Sequence, residues 1–466
     1  MPLADTLRRL PPAAEDFARS LFDHHWFEAS WLYERREILR IQGPLVSADA
    51  WLEQEKRADA HVVALAKGGA LVLGECESKA LEGNLGELNT AIRLLCRTDQ
   101  AERFNDLIER IDWQEPKRAE AVTDALAWDA PDSWQELVGA LLEDESLTDG
   151  AIGPLARVVG LRAWPLGEAL LGVLEDRVGD LEAVAWAIGV LRVNEALPEL
   201  YAVIQEDHAP AVRQAAAIAA LRFAPGEVLA YLEKVVAQED WAAIPLAIGG
   251  GPRVWGTLSK VAKESPSAEK MLAVGLFGYV GGIEILLEMV EHEEYGAAAA
   301  EGLYILTGAP LHEETSERSS SDEPDDKTES EGEDEAEQPG LLVSQLPRSR
   351  EPWIAWLKEN DARLRAQMQV RIRRGVSYEP QLSLDEIETT NVSAPVRQWM
   401  IEELDIRYRS SSKTWPRLSR SAQRRSTCRT RTDLISRSKF ATGDWYTDGQ
   451  PPGLTRKVTQ SNPPVF

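Results

Sequence analysis

From about residue 85 to residue 308 the chain repeats an Ala-, Leu- and Val-rich helical pair roughly every 30 residues. Most of these stretches are followed, after a short break, by a second apolar helix. A pair this short cannot bury its own apolar face, so the pairs must stack on their neighbours. The period therefore predicts an all-α fold, an α-solenoid of antiparallel helix pairs. The seven stretches begin at Leu85, Pro116, Asp149, Leu181, Ala209, Asp240 and Ser267.

The first 80 residues do not follow the period, and we expect them to form an atypical N-terminal helical cap. One amphipathic helix is predicted over about Ala13 to Leu39, and a second over Ser47 to Ala66, with Ser47 as its N-cap. The stretch from Ala70 to Ala80 is rich in Val and Leu but lies between helices, so a helix is predicted there too. The apolar residues of the first helix lie near helical spacing: Phe17, Leu21, Phe22, Trp26, Ala29, Leu32 and Tyr33.

Composition divides the rest of the chain. The array is predicted over residues 81–310 and is followed by an acidic, disordered insert at 311–340, where residues 312–338 carry about eleven net negative charges. Helical periodicity returns weakly, which predicts C-terminal helices at 341–409. The Ser/Arg-rich segment 410–466 is expected to be a disordered tail, although its aromatic sequence at 443–449 has no explanation in that reading.

The formal net charge of −26 indicates the kind of partner to expect. Binding to nucleic acid draws on clustered Lys and Arg, so we expect no nucleic acid partner and favour a basic protein. The acidic insert has three possible roles: a solvated linker, a lure for a basic partner, or a cover for the basic tail. In the last case it would pair with Arg417, Arg420, Arg424, Arg425 and Arg429.

The N-terminus lacks the apolar core of a signal peptide, and no later segment is long and apolar enough to cross a membrane. A cytoplasmic protein without a membrane partner is therefore expected. Cys76, Cys96 and Cys428 have neither the number nor the spacing of a disulfide framework or a zinc site. We expect Cys76 and Cys96 to be small core residues. The oligomeric state does not follow from the sequence.

Residues capable of chemistry are few. His24, His25 and His61, with Glu28 and Glu34, include the ligand types of a metal site, but a structural role with His61 bonded to a carboxylate is favoured. Gly249–Gly251 lacks the Lys of a phosphate-binding loop and is read as a turn. Because no catalytic triad or carboxylate pair has a supporting frame, we expect no catalytic residues, no metal, no cofactor and no enzymatic activity.

The chain contains fifteen tryptophans, and several recur through the array. Most must be core, but any exposed on the concave face of a solenoid would anchor a partner. The candidate partner-binding residues are Trp128, Trp164, Trp186, Trp241 and Trp255.

The N-terminal sequence resembles a known family. The segments from His24 to Leu39 and from Trp51 to Gly69, which include Arg57 and His61, are similar to bacterial HEAT-repeat proteins of unknown activity that are often encoded beside type VI secretion genes. The resemblance covers about residues 15–408 and implies HEAT-like repeats. It also implies a binding scaffold, such as an adaptor or chaperone for effector loading, with a basic secreted effector or toxin as partner. The alternatives are an immunity protein and, less favoured, a HEAT-like DNA glycosylase.

Overall fold

The protein is mostly helical. A computed structural model describes residues 12–42, 45–317, 341–389, 391–410, 415–418, 420–436, 440–447 and 449–450. In the N-terminal cap, α1 is Pro12–Gln42, α2 is Ala48–Ala66, α3 is Ala70–Leu73 and α4 is Cys76–Glu82. The two long helices are confirmed, and the helix predicted over Ala70 to Ala80 is found as two short helices, α3 and α4. The Ser47 hydroxyl accepts a hydrogen bond from the Ala50 amide as the N-cap of α2.

The array consists of helix pairs that pack in sequence order. The first helix of each pair packs against the first helix of the next pair, and together they form what we call the first-helix layer. The first helices are α5 (Leu85–Arg97), α7 (Pro116–Asp129), α9 (Asp149–Arg162), α11 (Leu181–Leu191), α13 (Pro210–Leu221), α15 (Ala243–Gly249), α17 (Ala268–Phe277) and α19 (Gly296–Thr307). The second helices are α6 (Ala101–Ile108), α8 (Gln135–Leu142), α10 (Gly167–Asp176), α12 (Leu197–Gln205), α14 (Pro225–Val235), α16 (Trp255–Glu264) and α18 (Gly282–Met289).

The helix boundaries follow from local sequence. Asn84 and Glu87 form a capping box that opens α5, so two of the amide groups at the start of this helix are satisfied. Gly278 has a φ of 82° and ends α17 in the left-handed conformation. The glycine triplet is a turn, as predicted, because α15 ends at Gly249 and Gly250 is extended.

Small residues set the spacing within the first-helix layer. A Cβ atom on Gly275 of α17 would lie 2.6 Å from the Cα atom of Gly302 in α19, so only glycine allows the two backbones to approach this closely. Cys76 and Cys96 are buried, as predicted, while Cys428 is exposed. The layer is thus a close-packed core that has no space for larger side chains at these positions.

The expectation of a disordered insert over residues 311–340 is wrong for residues 313–317, and residues 341–345, predicted to belong to the C-terminal helices, form a strand instead. Strand β1 (Glu313–Glu317) pairs antiparallel with β2 (Leu341–Gln345), and Val343 of β2 is buried. Ladder hydrogen bonds and this one inward side chain are enough to order five acidic or polar residues. The rest of the predicted insert, residues 318–340, lies outside the described residues.

The C-terminal helices form and fold back on the array. The helices of this segment are α20 (Arg350–Arg365), α21 (Pro380–Glu388) and α22 (Ala394–Tyr408). Two two-residue strands, β3 (Ile372–Arg373) and β4 (Val376–Ser377), lie between α20 and α21. Helix α22 packs on α15 of the first-helix layer. The Arg407 guanidinium donates to the carbonyl oxygens of Ala247 and Gly250, each at 2.9 Å. Helix α22 therefore covers part of the face that the array would otherwise present.

The prediction that the chain is disordered from residue 410 is also wrong for part of this segment. Helix α23 spans Arg420–Ser436. Trp445 and Tyr446 are buried, and the Trp445 indole donates to the Phe277 carbonyl oxygen at 3.2 Å. The Ser/Arg composition predicted disorder because it lacks apolar side chains, but these aromatic residues supply a docking point and acidic residues of the folded part pair with the arginines.

Candidate functional site

A cavity of about 1030 Å³ lies where the N-terminal cap meets the first array helices and the C-terminal segment. We call it the junction cavity. Helix α1 contributes Tyr33, Glu34 and Glu37, while Lys117 and Glu120 come from α7. The opposite side is formed by α19, the end of β2 and the start of α22. The cavity exists because the C-terminal segment returns to the beginning of the array. Residues some 300 positions apart in sequence therefore line the same cavity.

A buried ionic network forms the floor of the junction cavity. Asp124 is fully buried and accepts from the Tyr33 hydroxyl at 3.1 Å and from the Arg417 guanidinium at 2.9 and 3.1 Å. Arg36 lies 3.5 Å from the same carboxylate and 3.2 Å from Glu55. Burial, followed by the charge of Asp124, raises the pKa of Tyr33, so this hydroxyl is a donor and stays protonated. The floor is rigid because each charge is paired.

The opposite wall combines a carboxylate with backbone and amide groups. Glu301 of α19 accepts a hydrogen bond from the Ser393 amide at 2.6 Å, and burial raises the pKa of this carboxyl group. The Asn391 side-chain amide donates to the Tyr304 hydroxyl at 3.1 Å. His312 packs edge-on against Tyr304, and burial lowers the pKa of its imidazole. Arg348 and Arg397 also line this side of the cavity, so the wall presents hydrogen-bond acceptors together with neutral and cationic donors.

Two charged side chains of the cavity are free to meet a ligand. Within the described part of the chain, neither Glu34 nor Lys117 has a hydrogen-bond or ion-pair partner. Glu37, in contrast, is shared by Arg40 at 2.8 Å and Arg417 at 3.4 Å. Arg417 was a predicted partner of the acidic insert, but the described carboxylates it contacts are Asp124, Glu120 and Glu37. The cavity thus presents a negative charge on Glu34 and a positive charge on Lys117. The charges of its floor are already paired with one another.

The five candidate tryptophans are not exposed anchors. Trp164, Trp186, Trp241 and Trp255 are buried, and Trp128 is half-buried with the guanidinium groups of two arginines over its ring. Each of three indole groups has a partner within the chain: Trp164 donates to Asp132 at 3.2 Å, Trp186 to Glu402 at 2.8 Å and Trp241 to Glu239 at 3.0 Å. The exposure that the anchor hypothesis required is therefore absent at these positions.

The physical reason is clearest at Trp186. Its partner Glu402 belongs to α22, so the chain's own helix covers the face on which a partner was expected. Arg222 binds Glu402 and also Asp405, the latter at 2.6 Å, and Arg192 binds Asp405 at 2.8 Å. No sequence pattern predicts this contact, because complementary charges 183 residues apart leave no local signal.

Exposed apolar residues occur instead on α1. Phe17, Leu21, Phe27 and Trp31 project from this helix into solvent, whereas Trp26 of the same helix is buried. Their helical spacing predicts that Phe17 and Leu21 share one face with the core residues, whereas both are exposed. The sequence of α1 has apolar residues on two faces, and this pattern could have indicated the exposed face. A helix that only covers a core has one apolar stripe.

The three histidines near the N-terminus do form a cluster. The Nδ1 atoms of His25 and His61 lie 2.9 Å apart, and the His24 ring centroid lies 6.2 Å from that of His25. His61 thus bonds to a histidine and not, as expected, to a carboxylate. Among the described residues, no group of three or more His, Cys, Asp or Glu side chains is placed to hold a metal ion.

The His25–His61 contact predicts a loss of stability in acid. Burial, and then the neighbouring histidine, lowers the pKa of both imidazoles from 6.5. The folded state therefore binds fewer protons than the unfolded state, so full stability exists above pH 6.5 and declines as the pH falls through that value. We expect the thermal midpoint to fall on acidification, and His61→Phe to reduce the fall. This variant leaves Glu28 and Arg57, the charged residues that also act on His61, unchanged.

The matched control is His292→Gln, because His292 is exposed and distant from the cluster in sequence. It is expected to keep the wild-type pH dependence. An unchanged acid response in His61→Phe would assign that response to other groups.

Comparison of the chain with known protein families, with curated proteins and with solved structures found no significant match. Within the described ranges, none of the helices combines the length and apolar character that a membrane crossing requires.

Proposed function

We propose that the sequential helix pairs form an α-solenoid of the HEAT-like type, and that the protein is a non-enzymatic scaffold that binds another protein. The junction cavity is the proposed binding site. This moves the site away from the face that carried the predicted tryptophans, because α22 covers that face.

The junction cavity is the observation that supports this proposal most directly. Its volume of about 1030 Å³ is at the upper end of the range for ligand sites, so it accommodates several side chains of a docked segment. Its floor is fixed by the paired charges around Asp124, which makes the site preformed. A preformed site binds with little loss of its own conformational entropy.

Charge favours a basic partner. The chain carries a net charge of −26. In the sequence, the acidic residues 312–338 come shortly before β2, and the last residues of β2 line the cavity. Long-range attraction of this kind raises association rates and weakens as salt is added. Within the cavity, Glu34 is the free carboxylate for a Lys or Arg of the partner, while Lys117 selects an acidic or carbonyl group beside it.

We further propose an accessory role beside type VI secretion, as an adaptor or chaperone for a basic effector, on the basis of the N-terminal resemblance. An immunity protein that neutralises a basic toxin is the alternative, and it uses the same cavity and the same charge. A DNA glycosylase is less favoured, because the strongly negative chain opposes an approach to phosphates.

Filling the cavity tests the proposal. Ala297 of α19 lines the cavity and is exposed to it, so Ala297→Trp places a large ring in the space that a partner would use. Immobilised wild-type protein is expected to retain basic proteins from a lysate of the native source. The variant is expected to retain roughly tenfold less, which corresponds to about 1.4 kcal/mol of lost affinity. Quantitative mass spectrometry of the retained proteins provides the measurement.

The matched control is Ala237→Trp, which adds the same ring at an exposed position outside the cavity. A deletion of residues 318–340 separates the role of the acidic insert. If the deletion lowers both affinity and its salt dependence, the insert attracts the partner; if neither changes, it is a linker. Equal retention by wild type and Ala297→Trp, with circular dichroism showing both folded, would contradict the cavity as the site.

A further inference from the structure

Helix α1 carries an apolar face that no other part of the described chain covers. The exposed fractions are 71% for Phe17, 45% for Leu21, 65% for Phe27 and 48% for Trp31. At about 100° per residue, these four side chains and exposed His24 fall within an arc of roughly 120°. Together they expose roughly 400–500 Å² on each chain, which is the size of a functional patch and not of scattered surface residues.

The spacing of these residues is symmetric about His24. Leu21 and Phe27 lie three residues before and after it, and Phe17 and Trp31 lie seven residues before and after it. Two such helices that run antiparallel about a two-fold axis through His24 bring Phe17 of each chain opposite Trp31 of the other. Leu21 of each chain then lies opposite Phe27. This is the self-complementarity that an isologous interface requires.

Charged residues at the edge of the face agree with this alignment. Arg35 follows the apolar residues and Asp16 precedes them, and neither has an ion-pair partner within the described ranges. The antiparallel alignment places Arg35 of one chain within one helical turn of Asp16 in the second copy. A parallel arrangement would instead bring like charges together, so the charges favour the antiparallel form.

We propose that a second copy of this chain covers the apolar face of α1 and forms an antiparallel, two-fold symmetric dimer with His24 at the axis. This goes beyond the proposed scaffold function, because the junction cavity does not take part. The four apolar side chains from each copy bury roughly 800–1,000 Å² in total, close to the lower size of specific interfaces before any flanking residue is counted. Aromatic residues dominate the contact, as they do in stable interfaces.

Cysteine cross-linking at the axis tests the geometry. Only a residue on a two-fold axis meets its own copy, so His24→Cys is expected to form a covalent dimer under mild oxidation or with a short bismaleimide. The background carries Cys428→Ser, because Cys428 is exposed while Cys76 and Cys96 are buried. Glu53→Cys is the control, on an exposed position of α2 that does not lie on the proposed two-fold axis. We expect at least roughly tenfold more dimer from His24→Cys, in line with the distance limits of a disulfide.

A second measurement uses mass in solution. Light scattering of the wild type is expected to give twice the chain mass of 51.7 kDa. Phe27→Asp is expected to give the monomer, because it places two carboxylates in the apolar contact. Ile435→Asp is the matched control, since Ile435 is 64% exposed on α23, and it is expected to stay dimeric.

Three outcomes would overturn the dimer. They are a wild-type monomer at micromolar concentration, a dimer that Phe27→Asp leaves intact, and equal cross-linking of the two cysteine variants. A monomer whose Phe27→Asp variant loses a different bound protein would assign the face to that protein. Loss of partner capture in Ala297→Trp with the dimer retained, or the reverse, distinguishes this proposal from the proposed function.

Discussion

Replacing Glu403 by Gln is expected to lower the free energy of unfolding by about 3 kcal/mol or more. Glu403 is fully buried in α22 and binds three arginines, with Arg373 at 3.1 Å and Arg407 at 3.0 Å, besides Arg371. Burial alone raises its pKa, but the arginines hold the pKa below its usual value. The glutamine keeps the shape of the side chain and removes the charge that compensates three buried guanidinium groups.

Chemical denaturation measured by circular dichroism gives this change in free energy. The control is Glu359→Gln, an exposed residue of α20, which is expected to change stability by less than about 0.5 kcal/mol. An equally small effect of Glu403→Gln would mean that the arginine cluster reorganises around the amide and does not hold α22 in place.

Leu221→Asp is expected to destabilise the protein by a similar amount, about 3 kcal/mol or more. Leu221 is buried at the end of α13, where its side chain packs against Gly249 of α15. An aspartate there places a carboxylate in a buried apolar contact and removes it from water. Thermal and denaturant melts check the result.

Leu272→Asp is the informative comparison, because the sequence pattern alone gives both leucines the same core role. Leu272 is only partly buried, so its aspartate keeps some contact with water and a smaller loss is expected. Equal losses in the two variants would show that Leu272 is more enclosed than its exposure indicates.

The local parts of the fold were predictable from sequence. The alternation of apolar helices with short breaks located the helix pairs, because each helix needs a neighbour that buries its apolar stripe. The capping residue Ser47 correctly placed the start of α2. These features depend on contacts between residues close in sequence.

The candidate site was not predictable, because it depends on contacts between distant residues. The sequence favours Trp186 as a partner-binding residue, but its indole donates to Glu402, more than 200 residues later. Asp124 and Arg417 are likewise brought together only by the return of the C-terminal segment. Charges in a sequence indicate that partners must exist, but they do not indicate which residues they are.

The packing of α22 on the first-helix layer also sets an order of events during synthesis. Arg222 is buried against carboxylates of α22, and Asp405 is made 183 residues later. At 5–20 residues per second, that delay is roughly 10–40 s. Through this interval the emerging array, whose neighbouring pairs already stack, exposes Arg222 and the Trp186 face without their final cover. The nascent chain is therefore open on the face that the finished protein closes.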